Sequence, residues 1–442
     1  MHRPTPDLQD LPELGRARGW WQKHRYREAL RAFEKIAAKH PRNVPALADT
    51  ARALGQRLEI PRANLYLEKL ESICDRSAAG LLVAAESHLT LRQASDAIRC
   101  FHKALELAPD HPDILLPLAA VLERTNDCSA AEEITSAHAG QSPEWQIVLA
   151  RLAMRRRAWD SAIALLQPLT ARSQPIWIQT EALARLAQIH DRMEQFEKAF
   201  DFTRQRAARL QPHAAQAQKR AAFEEHHLKG LLDSLSATSI EAWLGEPDGT
   251  VLFTGPARSG TTLAMRFLQA HPDIAVSDER EIISSLIMPE LTTAIQPAPE
   301  KLSERHLDAL SPHTVRRLGK LNHDSLLATS SPEARIRIDK SPSATPLAPL
   351  FLRVCPGACV IHARRDPRDV LVSCLLRDLP LNSVSCRFLA PLEPAERIQF
   401  ERHAWPRPPA PLPPPSASSQ PPPPCAPPPP QPPPPRLAPP PP

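Results

Sequence analysis

No Cys-x-x-Cys pair occurs in the sequence, no long apolar run, and little excess charge of either sign. The eight cysteines stand at irregular spacings: Cys74, Cys100, Cys128, Cys355, Cys359, Cys374, Cys386 and Cys425. That favours isolated reduced thiols over a disulfide framework or a zinc site. No stretch approaches the ~20 apolar residues of a membrane span. The opening Met1-His2-Arg3-Pro4-Thr5-Pro6-Asp7 lacks the apolar core of a signal peptide. Cytoplasm is the default location. A formal charge of +5 over 442 residues does not suggest a nucleic-acid binder, which shows a concentrated basic face. Glycine is scarce at 12 residues, and aromatics make up 5 % with two Tyr. With Ala, Leu, Arg, Gln and Glu dominating long stretches, this points to helix.

Proline is what the chain has in excess. Of 52 prolines, 23 fall in residues 406–442, leaving 29 in the first 405 residues. That remainder is about 7 %, close to ordinary usage. Runs such as Pro421–Pro424 and Pro427–Pro430 form neither helix nor central strand, because each Pro lacks an N–H and fixes φ. A globular part of two or three domains is therefore expected ahead of a non-globular tail.

The first half repeats itself. Ala29-x3-Phe33 followed by Pro41 recurs as Ala97-x3-Phe101 followed by Pro109, an offset of 68 residues, or twice 34. Ala63-x3-Leu67 lies between them, and Ala131, with Pro143 beyond it, continues the series. A small residue lets two helices approach, and the larger one four positions on fills the groove on the same face. The Pro is expected to end the second helix of each unit. The pattern resembles the tetratricopeptide repeat. Four units are in register and two slipped ones follow around Ala162–Leu166 and Phe196–Phe200, so an α-helical solenoid is expected over residues 10–212. The resemblance implies a protein or peptide partner on the concave face, against the plainer reading of a scaffold. Residues 213–245 read as a linking or capping helix, whose His226-His227 pair lacks metal-ligand spacing.

At residue 250 the pattern changes. Thr250–Thr254 reads as a buried strand, Gly255-Pro256-Ala257-Arg258-Ser259-Gly260-Thr261-Thr262 as a small-residue loop, and Leu263–Ala270 as a helix. Strand, loop and helix form a phosphate cradle of N–H groups and a helix N-terminus. Gly255 and Gly260 have the Walker A separation, but Thr261 stands where that loop needs Lys. This disfavours a nucleotide triphosphatase or kinase-like enzyme.

Arg258-Ser259-Gly260-Thr261-Thr262, a helix, then His271-Pro272-Asp273 resembles the 5′-phosphosulfate loop of sulfotransferases. A second apolar strand, Ala358–Ala363, leads into Arg365 with Ser373 eight residues later, the pair that binds the donor 3′-phosphate in that family. The two motifs occur in the expected order, about 105 residues apart. The chain is thus similar to tetratricopeptide-repeat sulfotransferases, with a domain like that of protein-tyrosine sulfotransferases. The resemblance implies an α/β P-loop-like domain with a parallel sheet over 246–395. It also implies 3′-phosphoadenosine 5′-phosphosulfate as co-substrate, no metal, and sulfuryl transfer to a hydroxyl or amine, a peptide or protein side chain among the candidates. Arg258, Ser259, Gly260, Thr261, Thr262, Arg365 and Ser373 would bind the donor. By spacing, Glu279 occupies the general-base position, although Arg280 and Glu281 depart from the family pattern. Lys340, ending a strand Ile336–Lys340, would contact the transferring group, with Arg258 on the bridging oxygen. His271 and His362 read as structural.

Such domains are usually longer, and here the helical continuation past Ser373, through Pro380-Leu381-Asn382 and Phe388-Leu389, passes into the tail. The domain is therefore expected to be incomplete and its activity open. The 396–442 tail reads either as a real extended linker or as a shifted reading frame. The rival function is a non-catalytic interaction scaffold with a vestigial sulfotransferase domain.

Overall fold

A computed structural model describes residues 6–388, except 24, 139–141, 296–298, 300, 330–332, 343 and 383–384. Leu389 and the proline tail lie outside the described residues.

Six helix pairs come first. They are α1 (Pro12–Gln22) with α2 (Tyr26–Lys39), α3 (Val44–Gln56) with α4 (Ile60–Cys74), and α5 (Ala78–Thr90) with α6 (Ala94–Leu107). Then follow α7 (Pro112–Arg124) with α8 (Cys128–Ala137), α9 (Pro143–Arg155) with α10 (Trp159–Leu166), and α11 (Ile176–Arg192) with α12 (Phe196–Leu210). The second helices start at 26, 60, 94 and 128, a constant 34-residue step, and then 31 and 37 residues later. Ala29, Ala63, Ala97 and Ala131 are fully buried, and Phe33, Leu67 and Phe101 fill the space four residues on. This is a helical-repeat solenoid. Pro41 and Pro109 follow helix ends as expected, but Pro143 opens α9 instead of closing α8. Its missing N–H costs nothing there, because the first N–H groups of a helix have no intrahelical partner. From the second pair on, the turn inside each pair carries a left-handed residue: Leu58, Arg92 and Asn126, again 34 apart, then Arg157 and Glu194.

The link to the second half is two helices, not one. In α13 (Ala215–Ser234) and α14 (Ala237–Trp243) the chain is broken by Leu235 in an extended conformation. Ser236 then restarts it by capping the Ser239 N–H at 3.1 Å.

Next come β1 (Thr250–Thr254), α15 (Thr261–Leu268), β2 (Ile274–Asp278), a π-helical stretch (Ile282–Ile287), α16 (Met288–Ala294), α17 (Glu304–Asp308) and α18 (Pro312–Thr329). The chain continues through β3 (Ile336–Lys340), α19 (Ala348–Val354), β4 (Cys359–His362) and α20 (Pro367–Leu375). The strands form one parallel sheet in the order β2-β3-β1-β4. β1 is central and buried throughout, whereas β4 is an edge strand and largely exposed despite its apolar sequence. All four strands end on the same edge, where parallel sheets place their ligands.

The solenoid is fastened to this second half. Leu58, in a repeat turn, belongs to the same apolar cluster as Ile282, Leu286 and Phe351. Arg57 donates to the Ser285 carbonyl, and the Glu290 carboxylate, 9 % exposed, pairs with Arg27 and with Arg317 at 2.7 Å. Among the described residues, no helix is long and apolar enough to cross a membrane.

Candidate functional site

The loop from β1 to α15 follows from two glycines. Gly255 has φ 150°, and a Cβ there would lie 2.6 Å from the Ala363 carbonyl oxygen, on the chain leaving β4. Gly260 has φ 93° and caps α15 in the left-handed region, where its lack of a Cβ removes the strain. Arg258 adopts φ 70° without that freedom. Such a residue costs of order 1–3 kcal/mol and persists only where its surroundings hold it. Here Arg258 Nε donates to Ser373 Oγ at 3.0 Å, and Arg365 Nη1 donates to the Arg258 carbonyl at 3.1 Å. The loop, the end of β4 and α20 therefore meet. Within the cradle, Ser259 is 9 % exposed and its Oγ has no hydrogen-bond partner. A buried hydroxyl without a partner costs about 1–3 kcal/mol, and this one lies within the loop, beside Gly255.

A second group gathers at the ends of β2 and β3. Lys340 is 1 % exposed, and its Nζ donates to Glu279 Oε1 at 2.6 Å, Asp278 Oδ1 at 2.9 Å and Thr262 Oγ1 at 3.1 Å. Parallel pairing puts Asp278 opposite Lys340, and the Glu279 N–H donates to the Lys340 carbonyl at 2.9 Å. Glu279 and Glu281 are both left-handed, at φ 52° and 53°. Thr261, nearly buried, begins α15, while Thr262 is exposed on its first turn. His271 accepts from the Asp273 N–H through Nδ1 at 3.2 Å.

Three features were not legible in the sequence. Asp339, beside Lys340 on β3, is fully buried; burial raises its carboxyl to about 6, against the lowering effect of the Ser341 hydroxyl at 2.7 Å. Arg92, in a repeat turn 186 residues before Asp278, donates to the Asp278 and Glu279 carbonyls at 2.9 and 3.1 Å. The 34-residue recurrence of that turn was the only available signal. Arg377, following α20, joins the arginines around Ser373.

Among the described residues, Glu71, His88 and Cys100 bring three metal-type ligands within 4.8 Å of one another. They read as an ion network instead. His88 Nε2 meets Glu71 Oε1 at 2.8 Å, its Nδ1 meets Gln93 Oε1 at 2.7 Å, and Arg99 also holds Glu71. Burial disfavours the charged imidazole, but hydrogen bonds with Cys100, Glu71 and Gln93 outweigh it and push His88 up to about 10. Burial likewise disfavours the Glu71 carboxylate, yet His88 and Arg99 hold it down at about 2.

Residues 251–404 match the model of the sulfotransferase family. The chain carries a sulfotransferase domain. No curated protein matches it. Among solved structures it is similar to a tetratricopeptide repeat protein from Parabacteroides merdae, at 15 % identity and TM-score 0.37, over 44 % of this chain and 77 % of that one. A tetratricopeptide protein of Thermus thermophilus is similar at 20 % identity and TM-score 0.30, over 39 % and 97 %. The type IV pilus biogenesis factor PilW is similar at 20 % and 0.36, over 47 % and 96 %. The repeat assignment rests on the spacing of this chain's own helices. The sulfotransferase domain supplies the sheet edge on which Arg258, Lys340 and Arg365 lie.

Proposed function

We propose that the chain transfers a sulfuryl group from 3′-phosphoadenosine 5′-phosphosulfate to a hydroxyl or amine acceptor. In this reading residues 10–212 are the repeat array, 213–245 the link and 246–395 the catalytic domain, working in the cytoplasm. The observation that carries the proposal is the contact of Arg258 with Ser373 and Arg365, which unites two distant motifs at one sheet edge.

Arg365 and Ser373 would grip the donor 3′-phosphate, as a guanidinium fork and a neutral hydroxyl suit phosphate oxygens. Ser259, Gly260, Thr261 and Thr262 would bind the 5′-phosphosulfate through N–H and hydroxyl groups. Glu279 would take the acceptor's proton as the acceptor oxygen or nitrogen bonds to sulfur. Arg258 and Lys340 would offset the negative charge left on the departing phosphate oxygen. Lys340 already lies 2.6 Å from Glu279, so base and cation share one small space. A protein or peptide acceptor, bound with help from the array, fits this arrangement.

Calorimetry with adenosine 3′,5′-bisphosphate provides the test. The wild type is expected to bind, Arg365→Ala to bind at least about tenfold more weakly, and Glu279→Gln to bind normally. Absence of binding by the wild type returns the chain to the scaffold reading.

A further inference from the structure

Between the solenoid and α20 lies an open cleft of about 710 Å³. Four arginines of the array line it, Arg151, Arg155, Arg185 and Arg192, and two from the sulfotransferase domain face them, Arg365 and Arg377. Three acids share the lining: Glu123, Asp191 and Asp369. Glu123 is held by Arg151 and Arg155, and Asp369 lies 3.4 Å from Arg365. Arg185 reaches Glu181 with one nitrogen at 3.2 Å, while its Nε is buried without a partner. Arg192 and Arg377 make no ion pair among the described residues.

The cations are close enough to act on one another. Burial, with Arg258, Arg192 and Arg185 nearby, draws the Arg377 guanidinium below its ordinary value. Crowding like charges into a cleft is unfavourable unless an anion enters it. Ser373 lines the same cleft, and Arg258 is bonded to it at 3.0 Å. The crowded arginines therefore adjoin the end of the sheet edge assigned above to the donor's 3′-phosphate.

We infer that Arg185 and Arg192 of the repeat array, with Arg377 opposite, form the second wall of a phosphate chamber that holds the donor nucleotide's 3′-phosphate between the two halves of the molecule. The inference rests on the donor proposed above. It makes the array part of the nucleotide site, so that donor binding and the seating of the array are coupled.

The test compares adenosine 3′,5′-bisphosphate, adenosine 5′-monophosphate and inorganic phosphate by calorimetry on the full chain. The wild type is expected to prefer the bisphosphate to the monophosphate. Arg185→Gln with Arg192→Gln is expected to weaken the bisphosphate about 10- to 100-fold and leave the monophosphate unchanged. Arg192→Gln alone, at an exposed position, is expected to give part of that loss with an unaltered melting curve. Unchanged bisphosphate binding in the double variant overturns the inference and leaves the proposed function standing. Equal weakening of both nucleotides overturns it too, since that is general charge attraction. Inorganic phosphate binding as tightly as the bisphosphate would deny the nucleotide its place. Failure of the wild type to bind either nucleotide removes the proposed function first, and this inference with it.

Discussion

The two halves differ in where the buried polar groups that stand out in each find their partners. In the solenoid, the hydroxyls of Thr50, Ser87 and Thr135 are buried, and each donates to the carbonyl four residues earlier, at 2.7 to 2.8 Å. They need nothing from outside their own helix. In the sulfotransferase domain, Ser259 Oγ and Asp339 Oδ2 are buried without partners, and Lys340 is buried with carboxylates that are half exposed. Unsatisfied polar atoms cost stability wherever they lie, and the array has them too, at Arg52 Nε and Arg185 Nε; in the domain, Ser259 Oγ and Asp339 Oδ2 belong to short side chains beside the strand ends that carry Lys340. The repeat half shows how a chain becomes stable by recurrence. The other half gathers Ser259, Asp339 and Lys340, all buried, at one sheet edge.

The largest expected effect breaks the recurrence. Phe101→Ala removes a fully buried ring from the third repeat and should cost about 3–5 kcal/mol. Denaturant unfolding checks this. A loss under 1 kcal/mol would mean that the repeat packing does not hold the array together. Glu290→Ala addresses the seam between the halves. It leaves Arg27, Arg57 and Arg317 around an empty position, and a cost of about 1–3 kcal/mol is expected, less than for a fully buried pair because Arg27 and Arg317 keep contact with solvent. If only the sulfotransferase half loosens in hydrogen exchange, the seam is not shared.

A smaller effect separates the halves by pH. His88 is raised to about 10, so its stabilisation is complete below about 6.5 and is lost as pH rises toward 10. Glu71 is lowered to about 2, so its stabilisation is present above about 4.5 and is lost as pH falls toward 2. Thermal melts should show a plateau between these limits, and His88→Gln should flatten the alkaline side. Asp339 slopes the other way. Its carboxyl is raised to about 6, so the domain loses stability as pH rises from about 4 to 6. Asp339→Asn should therefore raise the melting temperature above pH 6, with the gain vanishing below pH 4. A gain that persists at pH 3 would point to packing instead of charge.

The legible parts were those that depend on short-range rules. Ala29, Ala63, Ala97 and Ala131 disclosed the solenoid because helix-pair packing demands a small residue once per unit, and the period makes that demand visible. The strand-loop-helix at Thr250–Leu268 was legible because glycine, hydroxyls and an apolar strand are all local requirements. The left-handed turns at Leu58 and Arg92 were not, since a solenoid holds non-glycine residues there by neighbouring contacts. The break at Leu235 within the link had a local signal, the Ser234-Leu235-Ser236-Ala237-Thr238-Ser239 run of cap-forming residues, which a reading of 213–245 as one helix passed over.

Sequence alone determined that an array of 34-residue helical repeats precedes a strand-loop-helix unit, and which residue types that loop contains. Tertiary structure alone decided what meets what. Lys340 joins Glu279 because parallel pairing of β2 with β3 brings their ends together, and Arg365 joins Arg258 because β4 pairs with β1. Arg92 reaches the Glu279 backbone, and the array's arginines face Ser373, because the solenoid folds back on the domain. Such contacts join residues 61 or more positions apart, and no local propensity encodes them.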